Sequence, residues 1–348
     1  MRPASMSGLI RAAFGCMRVM RPRRTLSIGD FGVKHWRKIA WVCAAMALLS
    51  YAAAPEFSRA QTAPPIHVNV RLVNVFVNVT DATGAPVGGL TQHDFQLSED
   101  GRAQKISYFE RDTDMPLSIV MAIDTSGSTR KDLPLEKMAA HDFVHALLRP
   151  ADRMDLMDFN SGVREVVPYT NDARRIDDGL NRMDYGPATA LYDAVYLASQ
   201  SLAPQHGRKV LVLISDGDNT ESEVDYNQAL EAARRGEVMV YSLIDVPIMA
   251  DAGRDTDGEH AMITLARETG GKYYYADAGD LRGAFRKVSE DLRTQYLLGY
   301  YPDPKAHGAG FRSISVTLTH APEAGGPYTV QNRTGYYPEA SDSPDSNR

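Results

Sequence analysis

The sequence predicts an α/β protein, in which a doubly wound, mostly parallel sheet occupies the middle of the chain and the flanking segments pair into a small β-sandwich. Three patterns carry that expectation. Continuous apolar runs at 117–123, 210–214 and 238–244 have the composition of strands buried on both faces. Helical stretches at 132–149, 172–183, 190–203, 224–236, 260–269 and 279–294 alternate with them, and βα alternation means parallel strands joined by crossovers. Toward both ends apolar and polar residues alternate singly, the period of antiparallel strands with one face covered.

Residues 1–60 read as a leader. They hold ten Lys/Arg against two Asp/Glu, although the chain of 348 residues carries a net charge of −6, so the remainder is acidic. An acidic body argues against nucleic acid as a partner. The apolar run Ile39–Ala54 follows Lys34, Arg37 and Lys38 and precedes small residues, the three-part layout of a secretory signal. It is shorter than the ~20 residues of a typical spanning helix. Export is therefore expected, with cleavage after Ala60 or within 52–54; an uncleaved membrane anchor is the alternative. Both cysteines, Cys16 and Cys43, fall in the leader, so its removal leaves no disulfide, no thiolate ligand and no thiol nucleophile.

The N-terminal β segment spans 66–112. Val68, Val70 and Leu72, then Val73, Val75, Val77 and Val79, alternate with polar residues before the turn Asp81–Gly84. Short strands follow at 95–98 and 105–110, separated by Glu99-Asp100-Gly101. The C-terminal segment, 295–338, alternates again at 295–301, 311–319 and 328–337, with loop residues at 302–310 and 322–327. Neither segment has enough strands for a core of its own, so the two are expected to pair, with 113–294 inserted between them. Within the insert, 154–159 and 163–169, split by Asn160-Ser161-Gly162, add a central strand and an antiparallel edge hairpin. The polar tail, 339–348, is expected to be disordered.

In a doubly wound sheet ligands sit beyond the carboxyl ends of the strands. There the sequence places Asp124-Thr125-Ser126-Gly127-Ser128, Gly186-Pro187-Ala188-Thr189 and Ser215-Asp216-Gly217-Asp218. Two carboxylates and three hydroxyls, with no His or Cys, form a ligand set for a hard, oxygen-preferring divalent ion, and disfavour zinc and copper. With only two anions present, Mg²⁺ would keep waters and an open position that an acidic group of a partner could fill.

Asp124-x-Ser126-x-Ser128 with Thr189 and Asp216 resembles the metal-ion-dependent adhesion site of von Willebrand factor type A domains, complete at all five positions. The resemblance covers 113–294. It implies that Ser126, Ser128 and Thr189 reach the ion directly or nearly so, and that Asp124 and Asp216 bind it directly or through water. Mg²⁺ is the first choice of metal, with Mn²⁺ or Ca²⁺ as alternatives, and the implied partner is a protein presenting Asp or Glu. The flanks, VNVTDATGAPVGGLTQHDFQLSEDGRAQKISYF and QYLLGYYP with GYYPE, are similar to a group of bacterial exported proteins carrying such domains. That likeness supports the split β domain; with the leader, the expected location is the periplasm, the cell surface or outside the cell, with membrane contact only if the leader stays uncleaved.

Other features carry less. Asp193, Asp218 and Asp225 read as solvated or capping acids, and Thr189 could itself cap the helix that follows it. The loop 251–259 reads as a flexible acidic loop without the spacing of an EF-hand. His141 and His145 are four residues apart on one helix and can hold zinc only if a third ligand converges; a plain helix surface is the simpler reading. The tyrosines at 273–275, 296, 300–301 and 336–337 suit half-buried strand positions. Enzyme signatures are missing: there is no nucleophile elbow, no P-loop and no Gly-x-Gly-x-x-Gly after a strand. Phosphoryl transfer through Asp124 would need a general acid where Ser126 stands. A cation-dependent binding module is therefore expected rather than an enzyme. A structural envelope protein with a stabilising or vestigial ion is the alternative, and a metal-dependent phosphoryl-transfer hydrolase a more distant one.

Overall fold

A computed structural model describes residues 72–111, 114–129, 133–245, 256–276, 280–303, 310–319 and 327–338, all within the compact unit His67–Arg348. The expected leader, the tail 339–348 and most of the acidic loop lie outside the described residues. No helix among the described residues is long and apolar enough to cross a membrane.

The central sheet has six strands. β5 (Leu117–Asp124), β6 (Arg153–Phe159), β7 (Val163–Thr170), β8 (Arg208–Ser215), β9 (Val238–Ile244) and β10 (Tyr273–Tyr275) stand in the order β10-β9-β8-β5-β6-β7, numbering from four earlier strands given below. All neighbours are parallel except β7, which returns antiparallel along the edge. Every residue of β5 and β9 is buried, which explains why these runs show no polar alternation. Helices α1 (Leu133–Leu147), α2 (Ala173–Asn181) and α6 (Leu281–Arg293) cover one face; α3 (Leu191–Leu202), α4 (Tyr226–Gly236) and α5 (Thr256–Thr269) cover the other. Each face thus has its own apolar core, and the doubly wound expectation holds. One boundary moves: α5 begins at Thr256 rather than 260, so 256–259 form its first turn instead of a loop.

The flanking segments supply two further sheets. β1 (Val73–Thr80), β4 (Ile106–Arg111), β11 (Tyr296–Tyr300) and β13 (Thr329–Asn332) form one, in the order β13-β1-β11-β4. β2 (Phe95–Glu99), β3 (Arg102–Gln104), β12 (Arg312–Leu318) and β14 (Gly335–Tyr336) form the other, in the order β14-β12-β2-β3. Val75 opposite Leu298 and Val316 opposite Leu97 bring N- and C-terminal side chains into one core. Burying one such Val or Leu is worth about 1.5–3 kcal/mol. The stretch 328–337, read as one strand from its alternation, divides: β13 pairs with β1 and β14 with β12. A single strand cannot serve both sheets, so the chain breaks ladder at Arg333-Thr334 and changes sheet.

Sandwich and central sheet share buried polar contacts. Tyr241 on β9 has no exposed surface, and its hydroxyl accepts from Asn78 Nδ2 on β1 at 3.3 Å and from Gln295 Nε2 at 3.1 Å. Gln295 Oε1 accepts from Arg208 Nη1 at 3.2 Å. Burial holds the Arg208 guanidinium down to about 10 and pushes the Tyr241 hydroxyl up.

Candidate metal centre

Asp124 ends β5, and Asp216 follows the last residue of β8, so parallel pairing of these two strands delivers both carboxylates to one edge of the sheet. Asp124 has no exposed surface. Its Oδ1 accepts the Ser126 backbone N–H at 2.8 Å, and its Oδ2 accepts the Ser215 hydroxyl at 2.6 Å. Thr129 Oγ1 closes the loop on itself, donating toward Asp124 O at 3.1 Å and Ser126 O at 3.2 Å. The Ser126 and Ser128 hydroxyls lie 3.0 Å apart.

The loop carrying Thr189 is tied to the same edge from both sides. Gly186 N–H donates to Thr125 O at 3.0 Å, and Ala190 N–H donates to Asn160 O at 2.7 Å. Asn160 Nδ2 in turn donates to Thr125 Oγ1 at 3.1 Å. Thr189 does not cap α3. Ala190 holds the N-cap position without a side-chain bond, and the free N–H groups of the first turn are taken from another loop: Leu191 N–H by Asn219 Oδ1 at 3.1 Å, Tyr192 N–H by Ser222 Oγ at 3.0 Å. Thr189 contributes only backbone to this brace, accepting from Thr220 N–H at 2.9 Å and donating to Thr220 Oγ1 at 2.9 Å.

Of the other acids, two accept backbone N–H groups. Asp193 receives the N–H groups of Glu223 and Val224, and Asp225 caps α4 through Gln228 N–H at 2.9 Å. Asp216 accepts Asp218 N–H at 3.2 Å. Gly217 adopts φ +97°, and a Cβ there would stand 2.8 Å from Glu259 N, so only glycine lets the first turn of α5 close over the Asp216 loop.

Burial pushes the Asp124 carboxyl up to about 7, against the lowering effect of its Ser215 and Ser126 donors, and Asp216 adds repulsion. Neither acid forms an ion pair with a Lys or Arg among the described residues. A buried carboxylate without a cation is costly, and coordination to a metal is one of the ways that cost is met. The hydroxyls fit as well. Adjacent ligands of an octahedral ion with bonds of ~2.0–2.1 Å lie about 2.9 Å apart, close to the Ser126–Ser128 separation. The residues present thus suit a small hard cation. Reasoning from the sequence missed Ser215, Asn160 and the Asn219–Ser222 brace. Ser215 was the readable one, a hydroxyl directly after the apolar run 210–214.

Residues 119–219 match the family described as von Willebrand factor type A domain. Over 211 residues the chain is 26% identical to inter-alpha-trypsin inhibitor heavy chain H1 of Mesocricetus auratus, covering 55% of this chain and 22% of that one. The chain thus spans less than a quarter of that relative's length. Among solved structures it is similar to the hypothetical protein BatB from Bacteroides thetaiotaomicron, at 20% identity and a TM-score of 0.41, covering 51% of this chain and 100% of the other. It is also similar to the vWF domain of the type V pili tip protein Mfa5 from Porphyromonas gingivalis, at 12% identity and a TM-score of 0.42, covering 51% and 95%. The family match begins inside β5 and ends past Asp216, and so takes in the strands and loops on which this edge is built: what the comparison identifies as a von Willebrand factor type A domain is the segment 119–219.

Proposed function

We propose that the protein binds a divalent cation, Mg²⁺ first and Mn²⁺ or Ca²⁺ as substitutes, through Asp124, Ser126, Ser128, Thr189 and Asp216, and uses it to bind a protein that presents Asp or Glu. The observation that supports this most is Asp124: a fully buried carboxylate, raised to about 7 by burial, with no Lys or Arg ion-paired to it among the described residues. The remaining side chains suit the same task. Three neutral hydroxyls donate less charge than carboxylates would, so two acids leave a divalent ion without excess negative charge around it. When bound, the ion supplies an open, electrophilic position for a carboxylate oxygen. Asp124, locked by Ser215 and the Ser126 N–H, would fix the floor of the site, while the Ser126–Ser128 and Thr189 loops form its rim.

Binding rather than catalysis is the favoured reading because the Ser126 and Ser128 hydroxyls bond to each other and, among the described residues, to no His, Lys or Cys that could serve as a base. The acidic body gives a carboxylate-bearing partner little electrostatic welcome except at the cation. Export, inferred from the leader, would place that partner outside the cytoplasm.

Calorimetric titration of Mg²⁺, Mn²⁺ and Ca²⁺ into the full chain, beside an Asp124→Ala, Ser126→Ala double variant whose folding is checked by circular dichroism, tests the proposal. One saturable site, lost in the variant and tightened by added glutamate, is the expected result. No heat with any ion, with or without glutamate, would leave a scaffold domain and end the adhesion reading.

A further inference from the structure

A second group of metal-competent side chains lies away from the Asp124 edge, on the face covered by α1 and α2. His141 and His145, one turn apart on α1, point the same way, with ring centroids 4.5 Å apart. Asp177, on α2, joins them. Its Oδ2 lies 2.9 Å from His145 Nε2 and 3.7 Å from His141 Nε2, and one ligand atom of each residue falls within 4.8 Å of the others.

We propose that His141, His145 and Asp177 form a zinc-class site that clips α1 to α2, separate from the hard-cation site at Asp124. Four observations support it. The donor set is two imidazoles and one carboxylate, which a borderline ion such as Zn²⁺ prefers and Mg²⁺ or Ca²⁺ does not. The spacing is close to that required: ligands ~2.0–2.1 Å from a tetrahedral Zn²⁺ stand about 3.3 Å from each other, and the two His–Asp separations bracket that value. His141 is oriented as a ligating histidine is. While Nε2 faces Asp177, Nδ1 lies 3.3 Å from Asp142 Oδ1, and Asp142 Oδ2 is held by Arg282 Nε at 2.9 Å. A carboxylate on the second ring nitrogen fixes the tautomer and raises the basicity of the first. Finally, Asp177 Oδ1 is buried and accepts no hydrogen bond among the described residues, so the carboxylate is not fully satisfied by the histidines.

The histidines are about half exposed, at 50% and 44% of their side-chain surface, so solvent or an added ligand can complete the coordination. Because Arg282 lies in the first turn of α6, the outer part of the site also reaches a third helix of the same face. Zinc here would add a metal link to the polar contacts that already join α1 to α2, and would do so without involving Asp124 or Asp216.

The test uses the full chain purified without a polyhistidine tag and titrated with Zn²⁺ alone, then with Co²⁺ as a spectroscopic substitute. The His145→Ala, Asp177→Asn and Asp124→Ala, Ser126→Ala variants are run beside it, each checked by circular dichroism. We expect one Zn²⁺ site that survives the Asp124→Ala, Ser126→Ala change and weakens at least ~tenfold in His145→Ala and in Asp177→Asn. Zn²⁺ should raise the melting temperature of the parent and not of those two variants. Zn²⁺ affinity unchanged by Asp177→Asn would place the ion elsewhere on the chain. Affinity lost in the Asp124→Ala, Ser126→Ala variant but kept in Asp177→Asn would place it at the oxygen site. Either result overturns the proposal, as does an absence of Zn²⁺ binding by the parent. Failure here leaves the Mg²⁺ titration untouched, because the two sites share no residue.

Discussion

The Ser215 hydroxyl donates to Asp124 Oδ2 at 2.6 Å, joining the last residue of β8 to the last residue of β5 across two parallel strands. Ser215 Oγ also accepts Gly217 N–H at 3.0 Å, so one buried hydroxyl sets both the Asp124 carboxylate and the turn after Asp216. Its position makes it a positioning residue for both acids.

Asp124→Asn separates a metal-binding role from a structural one. The variant keeps the side chain's shape and removes a buried charge. At pH 8 without metal it should be at least as stable as the parent in urea, and it should lose Mg²⁺ binding. A loss of ~1 kcal/mol or more without metal would instead mark Asp124 as a structural turn residue whose charge is needed for folding.

Stability without metal should fall as pH rises. Burial raises Asp155 to about 8, with Glu165 adding to the effect, and raises Asp124 to about 7, both from 3.8. The native state therefore holds protons that the unfolded chain releases, so the contribution of these groups is fully present below pH ~4 and is lost through pH 7 and 8, at no more than ~1.4 kcal/mol per pH unit for each group. Denaturant midpoints from pH 5 to 8.5 check it. Asp155→Asn should flatten the slope, and Mg²⁺, competing with the proton on Asp124, should stabilise more at pH 8 than at pH 6. A parent whose stability rises steadily across this range would refute the assignment of both groups.

Tyr241→Phe should loosen the junction of sandwich and sheet. It removes one hydroxyl, takes from Asn78 Nδ2 its acceptor and leaves Gln295 Nε2 with only the weak acceptor Met239 Sδ at 3.7 Å, at a cost of about 1–3 kcal/mol. Denaturation followed by circular dichroism would show it. A change within ~0.5 kcal/mol would mean that water replaces the phenol at no cost.

Much of the fold was legible because burial on both faces leaves a direct mark on composition. The runs at 117–123, 210–214 and 238–244 contain almost no polar residue, and the structure buries them in adjacent strands β5, β8 and β9. The alternation of Val73, Val75, Val77 and Val79 likewise fits a strand whose four valines enter one core. Alternation gave no sign of where 328–337 changes sheets, because both halves keep a period of two and only the choice of partner differs. Short oxygen side chains after successive strands were equally plain, since strand direction alone sends them to one edge.

The sequence by itself determined the class of the fold and the chemistry available at each strand end, because hydrophobic period and side-chain type are local properties. The tertiary structure decided which distant groups meet. It placed Ser215 on Asp124, capped α3 with Asn219 and Ser222 instead of Thr189, and brought Asp177 to His145, 32 residues away. Such meetings depend on how strands are ordered and how helices settle on the sheet. Those choices are fixed by the packing of the whole core, and no window of sequence contains them.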